Sequence, residues 1–294
     1  MIRFKNLTKS YGNGRGIFDF SFEVEEGEVF GLVGPASSGK TTALRMLMGF
    51  EEPTKGRCAI NGKDCSKAGA SQRAQIGYLP QKTDLPPSLT VRQFLRSLNE
   101  IRGIRNLEHM FELAGRLQLE LDVPLRKMSK AEQRKTAIIA AVMHHPQILL
   151  LDAPFRHLDP KERNVVTEII LEEREKNHIV VLSTDSVEDV DLTCDRVALL
   201  DHGNVAYLGD IENLRDNMYR NYQIRFSSKQ MAMKFSKEQF EIKSMKDRNV
   251  VVTVRGALLP LLRTLGKYNV MGIEPIPLSL EEAFAQIYGG RIHV

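Results

Sequence analysis

Apolar and polar residues alternate along the first part of the chain. Ile2 and Phe4 are separated by one polar residue, and the same spacing returns over residues 18–24. Successive side chains of a strand point to opposite faces, so this alternation predicts strands with one buried face. We expect two or three such strands before the first fully apolar segment.

Three continuous apolar runs follow a different pattern. They cover residues 29–33, 148–151 and 179–182 and show no alternation. A strand that is apolar at every position is typical of a parallel sheet with helices on both faces. The sequence therefore predicts an α/β domain built around a parallel sheet.

Two helix starts can be read from capping boxes between these runs. Thr90 and Gln93 have the required spacing, and so do Ser129 and Glu132. In a capping box the first side chain caps the helix, and the side chain three residues later bonds back to the cap residue. We predict helices from both points and a helical insertion over residues 82–128.

The pattern changes after residue 212. Strands and short helices follow in the order strand, helix, strand, strand, helix, strand, which is the ferredoxin-like order. A last helix is predicted to begin at the capping box of Ser279 and Glu282. We therefore predict a main domain over residues 1–212 and a small accessory α+β domain over residues 213–294.

Composition limits the class of protein. The chain has 294 residues, 42% hydrophobic and 27% charged, as expected for a soluble globular protein. The net charge of +4, without a long run of like charges, gives no reason to expect a nucleic acid partner. No apolar run reaches the roughly 18 residues of a membrane-spanning helix. The three cysteines lack metal-ligand spacing and are predicted to be reduced thiols.

One stretch carries specific chemistry. It matches the phosphate-binding P-loop G-x-x-x-x-G-K-[ST], and it lies between the apolar run at 29–33 and a helix-forming segment. Backbone N–H groups and the helix start can hold phosphates, the lysine reaches the outer phosphates, and the threonine hydroxyl can hold Mg²⁺. The loop consists of Gly34, Pro35, Ala36, Ser37, Ser38, Gly39, Lys40 and Thr41.

Two residues elsewhere are candidates for the same ligand. Asp152 ends an apolar run, at the carboxyl end of a predicted parallel strand, where ligands bind in open sheets. It is a candidate Mg²⁺ ligand, and an aspartate that caps a loop is the structural alternative. Tyr11 lies in a loop and could stack on a base, or could be an ordinary surface tyrosine.

The order of these motifs resembles the ATP-binding subunit of an ABC transporter over about residues 1–212. The segment 279–289 is similar to the tail of subunits that serve export permeases of the ABC-2 type. The resemblance implies a P-loop NTPase fold with ATP and Mg²⁺ as cofactors. It also implies a dimer in which each ATP lies between one P-loop and the signature motif of the other subunit.

The resemblance also implies roles for single residues. Tyr11 matches the aromatic that stacks on adenine, and Thr42 supports the α-phosphate side of the loop. Gln81 matches the Q-loop glutamine, which senses Mg²⁺ and the attacking water. Asp152 matches the Walker-B aspartate, and Asp159 matches the D-loop aspartate. The implied Mg²⁺ ligands are Thr41, Gln81 and Asp152.

Two departures from the family concern hydrolysis. Ala153 stands where the family has the glutamate that polarises the attacking water, a contribution of roughly 10²–10⁴-fold. Asp185 stands where the family has the switch histidine. Because a carboxylate repels the γ-phosphate, we expect Asp185 to turn away or to bond locally. His157 is a weaker candidate for a substitute base.

A third departure lies in the signature motif, where the family pattern is L-S-G-G-Q. The methyl group of Ala131 obstructs a close phosphate approach. A capping box between Ser129 and Glu132 would use the helix start within the chain. The signature positions are Ser129, Lys130, Ala131 and Glu132.

The motifs that hold a nucleotide are present, and those that hydrolyse it are altered. We therefore expect an ATP-binding subunit of an export transporter with weak or absent hydrolysis. It would lie on the cytoplasmic face of the membrane and serve a permease on a separate chain. We expect a homodimer or, preferably, a heterodimer with a second ABC ATPase.

Two other functions are open. A regulatory pseudo-ATPase would act as a nucleotide-gated interaction module and power no transport. A soluble ABC ATPase acting on DNA or ribosomes is disfavoured, because the chain has one cassette and no sustained heptads.

Overall fold

The computed structural model describes residues 1–211 and 219–276, without the side chain of Tyr219. The chain divides into two compact units, Met1–Leu208 and Gly209–Val294. The first unit contains two sheets, and the described part of the second contains one.

Ten strands precede residue 211 among the described residues. They are β1 (Ile2–Gly12), β2 (Arg15–Val24), β3 (Val29–Val33), β4 (Lys55–Ile60), β5 (Lys63–Asp64), β6 (Ile76–Leu79), β7 (Ile148–Asp152), β8 (Ile179–Thr184), β9 (Arg196–Asp201) and β10 (Asn204–Asp210).

The helices of the first unit lie between these strands. They are α1 (Lys40–Leu47), α2 (Ala70–Arg73), α3 (Val91–Ile101), α4 (Glu108–Arg116), α5 (Lys130–Val142), α6 (Pro160–Glu175) and α7 (Val187–Thr193), with 3₁₀ turns at Cys65–Lys67 and Leu125–Lys127.

A six-stranded sheet forms the centre of the first unit. Its order is β10-β9-β3-β8-β7-β6, and the pairs from β9 to β6 are parallel. Every residue of β3, β7 and β8 is buried, which confirms the prediction from the continuous apolar runs. The carboxyl ends of these three strands therefore lie side by side, at the edge where the P-loop begins.

A second, antiparallel sheet has the order β2-β1-β4-β5. Strands β1 and β2 are the two alternating strands that the sequence predicts, and their inward side chains pack as an aromatic cluster. Phe22 stacks on Phe30 of the central sheet, with ring centroids 5.1 Å apart. Asn61 and Gly62, both with positive φ, close the turn from β4 to β5.

The described part of the second unit is a four-stranded antiparallel sheet with two helices. Buried apolar side chains of the sheet and both helices form a separate core. The sheet order is β12-β13-β11-β14, and the chain order is the one that the sequence predicts. The elements are β11 (Tyr219–Phe226), α8 (Lys229–Phe235), β12 (Glu241–Lys246), β13 (Asn249–Arg255), α9 (Leu259–Leu265) and β14 (Val270–Ile276).

The helical insertion contains α3 and α4, and the capping box of Thr90 and Gln93 is confirmed at the start of α3. The pattern of apolar and polar residues did not predict α2 and α7, because both helices are short. The helix predicted from Ser279 lies outside the described residues. Within the described ranges, no helix combines the length and apolarity needed to cross a membrane. All three cysteines are buried and free.

Candidate functional site

The P-loop connects the end of β3 to the start of α1. The Gly34 N–H donates to the Thr184 carbonyl at 3.3 Å, which fixes the loop to the neighbouring strand β8. Gly39 has a φ of 106°, and a Cβ there would lie 2.4 Å from Ile17 Cγ2. Only glycine fits this position, because both the backbone conformation and the contact exclude a side chain. The glycine spacing of the motif is thus a requirement of the fold.

Lys40 is folded back onto its own loop. Its ammonium group donates to the carbonyls of Gly34 at 2.6 Å and Pro35 at 2.7 Å. Burial lowers the pKa of Lys40, and the charges of Asp185 and Asp152 oppose that shift. The ammonium is thus held at the mouth of the loop by neutral acceptors, which anionic oxygens can replace with stronger bonds.

Asp152 lies at the centre of a hydroxyl–carboxylate cluster. Thr41 Oγ1 donates to one carboxylate oxygen at 2.7 Å, and Ser183 Oγ donates to the other at 2.5 Å. Asp152 and Ser183 are directly opposite residues of β7 and β8. A carboxylate and a hydroxyl are the hard oxygen ligands that Mg²⁺ prefers, so Thr41 and Asp152 fit this cation. The sequence pattern did not single out Ser183, although it directly follows the apolar run 179–182.

A cavity of about 350 Å³ opens beside Lys40. It brings together five residues that are candidates from the sequence, namely Ala36, Lys40, Gln81, Ala153 and Asp185. Among the other described residues that line it, Arg156 and Arg163 were not singled out from the sequence. His157, the weaker candidate for a substitute base, is not among these lining residues.

Ala153 presents only a methyl group in this cavity. Its backbone is in the left-handed region, with a φ of 52°. Its N–H donates to the Ser183 carbonyl at 3.1 Å and to Ser183 Oγ at 2.9 Å. A methyl group cannot accept a proton or a hydrogen bond, so the side chain of residue 153 cannot orient an attacking water.

Asp185 lines the cavity instead of turning away from it, contrary to our expectation. The expectation was wrong because the preceding residue, not Asp185, is held by the fold. Thr184 Oγ1 donates to Asp189 at 2.7 Å, and Asp189 is also paired with Arg163. Ser186 caps α7 immediately afterwards. Asp185 is exposed between these fixed points, at the side of the cavity where Lys40 lies.

Arg134 lies under the site and is 1% exposed. Its guanidinium donates to the carbonyls of Pro80 at 2.7 Å and Ala153 at 2.6 Å, and also to the carbonyl of Asp152. Burial lowers its pKa to about 10. The sequence carried a signal for this residue, because Arg134 shares a helical stripe with the apolar Ile138.

Tyr11 belongs to β1 and not to a loop as predicted, because the pairing with β2 continues to Gly12, and its side chain lies close to the start of α1. Its hydroxyl bonds to the Glu51 carboxylate and to Thr42, which follows the P-loop. The residue is 52% exposed, so one part of the ring is open to a further contact. The structure thus places Tyr11 and Thr42 together, at the helix start that the P-loop leads into.

The signature residues form the first turn of α5. The Ser129 N–H donates to Glu132 at 2.7 Å, and the Glu132 N–H donates to Ser129 Oγ at 3.2 Å, which confirms the predicted capping box. These bonds to Ser129 lower the pKa of Glu132. Lys130 is exposed and Ala131 half-buried, and none of the four lines the cavity among the described residues.

Asp159 caps the next helix, α6. Its side chain accepts from the Glu162 N–H at 2.8 Å, and the Glu162 carboxylate accepts from the Asp159 N–H at 3.0 Å. Pro160 occupies the first helical position, where its missing N–H costs nothing. The implied D-loop aspartate is therefore exposed on a well-defined helix start.

Comparisons with known proteins agree on one family. Residues 17–156 match the family described as ABC transporter. The chain is 34% identical over 218 residues to an uncharacterized ABC transporter ATP-binding protein of Methanocaldococcus jannaschii, covering 72% of this chain and 79% of that protein. It is 32% identical to the Nod factor export ATP-binding protein I of Sinorhizobium fredii, over 69% of this chain and 60% of that protein.

Solved structures show the same fold. The structure of an ATP binding subunit of an ABC transporter has a TM-score of 0.67 at 27% identity, covering 73% of this chain and 92% of that one. A dimeric ATP-binding cassette bound to ADP and Pi has a TM-score of 0.64 at 24% identity, covering 72% and 99%.

Proposed function

The chain belongs to the family of ABC transporter ATP-binding proteins, and we propose that it is the subunit of an export transporter that binds Mg-ATP but hydrolyses it weakly or not at all. The name of one relative, the Nod factor export protein, supports the direction of transport. The similarity of the C-terminal segment to ABC-2 type subunits supports it too.

The P-loop supplies the nucleotide contacts in this proposal. The ammonium of Lys40 exchanges its carbonyl acceptors for phosphate oxygens, a charge-assisted bond of greater strength. Thr41 and Asp152 would hold Mg²⁺, and Gln81 lines the cavity beside Lys40. The bound Mg²⁺ screens the phosphate charge and orients the phosphates. Tyr11 offers its exposed ring to the adenine.

One observation carries the proposal of weak hydrolysis. Ala153 and Asp185 line the same cavity as Lys40, at the place where the terminal phosphate and its attacking water would lie. Ala153 offers no base, and Asp185 adds a negative charge beside a negative phosphate. Thr41 and Asp152, the residues proposed to bind Mg²⁺, are both present and directly adjoin Lys40 and Ala153 in the sequence. Binding and hydrolysis are therefore separable in this chain.

The test is the steady-state ATPase rate of the purified chain, alone and as Ala153→Glu. We expect turnover far below 1 s⁻¹ for the natural chain and at least about a tenfold gain for the variant, because a carboxylate base is restored. Lys40→Ala is the control that removes phosphate binding, and it should abolish any activity. Turnover near 1 s⁻¹ by the natural chain, lost in Lys40→Ala, would contradict the proposal.

The transporter assembly is a further part of the proposal. We infer a permease on a separate chain, a location on the cytoplasmic face of the membrane, and a dimer. A heterodimer is favoured because a second ABC ATPase would supply the hydrolysis that Ala153 and Asp185 do not support. Affinity purification of the tagged chain from native membranes should recover a membrane permease and a second ATPase with an intact glutamate.

A second candidate function is a regulatory pseudo-ATPase. The observation that favours it is the capping box of Ser129 and Glu132 at the start of α5. Because each of these side chains bonds to the backbone N–H of the other residue, fewer donors remain for a phosphate bound by a partner subunit. The same purification separates the two candidates. Recovery of soluble partners without a permease would favour regulation over transport.

A further inference from the structure

The cavity beside Lys40 carries an unusual set of charges. Among the described residues that line it, three are cationic and two are carboxylates, namely Lys40, Arg156, Arg163, Asp185 and Asp189. Arg163 is paired with Asp189, and the ammonium of Lys40 is bonded to loop carbonyls. Arg156 is exposed, and no hydrogen bond or ion pair within the described ranges holds its guanidinium. It is therefore available to an anion that enters the cavity.

The backbone around Arg156 fixes its position. The Arg156 N–H donates to the Ala153 carbonyl at 3.1 Å, which closes a tight turn from Ala153 to Arg156. The two ends of the turn are anchored, by Ser183 at Ala153 and by the buried ring of Phe155 next to Arg156. The same turn therefore places the methyl group of Ala153 and the guanidinium of Arg156 at the cavity.

A second charge makes an anion favourable at this place. The Ala153 carbonyl accepts a hydrogen bond from the buried guanidinium of Arg134 at 2.6 Å as well as from the Arg156 N–H, so Arg134 lies beside the turn that carries Arg156. Arg134 is surrounded by neutral carbonyls and has no carboxylate bonded to it within the described part of the chain. An anion at Arg156 would be attracted by both guanidinium groups.

From this geometry we propose that Arg156 binds the terminal phosphate of ATP and makes the site select ATP over ADP. A phosphate held by Lys40 lies in the cavity that Arg156 also lines, and a guanidinium fork matches two phosphate oxygens. ADP lacks the phosphate that would reach Arg156. The inference rests on the proposed function, and it adds that the cavity retains the γ-phosphate that it cannot cleave.

The test is the equilibrium affinity for Mg-ATP and Mg-ADP, measured by calorimetric titration of the full chain. We expect Arg156→Ala to weaken Mg-ATP about tenfold and Mg-ADP less than twofold, because one charge-assisted contact to the terminal phosphate is lost. Arg156→Lys, which keeps the charge but loses the fork, should give an intermediate loss for ATP. Arg105→Ala, at an exposed arginine outside the site, is the matched control and should change neither affinity.

The outcomes separate this inference from the proposed function. Equal weakening of ATP and ADP by Arg156→Ala, or no weakening of either, would overturn the role of Arg156 while leaving ATP binding intact. Failure of the natural chain to bind ATP would overturn the proposed function as well. A loss confined to ATP, with Arg105→Ala unchanged, supports the inference.

Discussion

Arg134 is a buried residue that connects backbone segments next to the nucleotide site. Its guanidinium donates to the carbonyls of Pro80, Asp152 and Ala153, which lie at the carboxyl ends of the neighbouring strands β6 and β7. A buried donor that satisfies several carbonyls is costly to remove, because each acceptor then lacks a partner.

We therefore expect Arg134→Met to lower the free energy of unfolding by about 3 kcal/mol, since methionine fills part of the volume but donates no hydrogen bond. Urea denaturation followed by circular dichroism measures the change. Arg105→Met is the matched control at an exposed position and should stay within about 0.5 kcal/mol of the natural chain. A loss for Arg134→Met no greater than that of the control would show that the carbonyls find other donors.

At the scale of elements, the sequence predicted what is local and missed what depends on neighbouring strands. The P-loop and the capping box of Ser129 were predictable, because the interacting groups lie within a few residues of each other. Ser183 joins Asp152 only because β8 runs beside β7, and the apolar run before Ser183 does not tell which strand lies next to it. Asp185 was misjudged for the same reason, since α7 and its capping serine fix the segment after it.

The junction between α5 and the helical insertion contains a histidine with a shifted pKa. Burial, and to a lesser degree the charge of Arg102, lowers the pKa of His144 to about 4. Nearby, the rings of His109 and His145 stack with centroids 4.0 Å apart. A histidine with a lowered pKa is neutral when folded and gains a proton more readily when unfolded. It therefore costs stability as the pH falls from its unfolded pKa, near 6.5, towards 4.

We expect the natural chain to lose roughly 1–2 kcal/mol more than His144→Asn in free energy of unfolding between pH 7 and pH 5, after allowance for partial solvent screening of the imidazole. Urea denaturation at a series of pH values gives both curves. Carboxylates titrate in both proteins, so the difference between the curves isolates His144. Parallel curves would mean that His144 is protonated as easily in the folded chain as in the unfolded one.

For the whole molecule, the structure separates a nucleotide-binding unit from a smaller C-terminal unit with its own core. The fold class of the first unit followed from three apolar runs and one motif, because a buried parallel sheet leaves few alternatives. The charges of the cavity did not follow, since Arg156 and Arg163 come from a turn and a helix that meet only in the folded chain. The P-loop was therefore predictable from the sequence, whereas the charged lining of the cavity required the structure.

The attachment of Arg134 also has a mechanical consequence. Helix α5 begins at the signature residues, and Arg134 lies about one turn further along it. There the guanidinium of Arg134 donates to the carbonyl of Ala153, a residue that lines the cavity. One helical turn is about 5.4 Å long, so Arg134 and the signature residues belong to the same short segment of helix. We therefore expect a shift of these loops on nucleotide binding to move the signature residues as well, even when ATP is not hydrolysed.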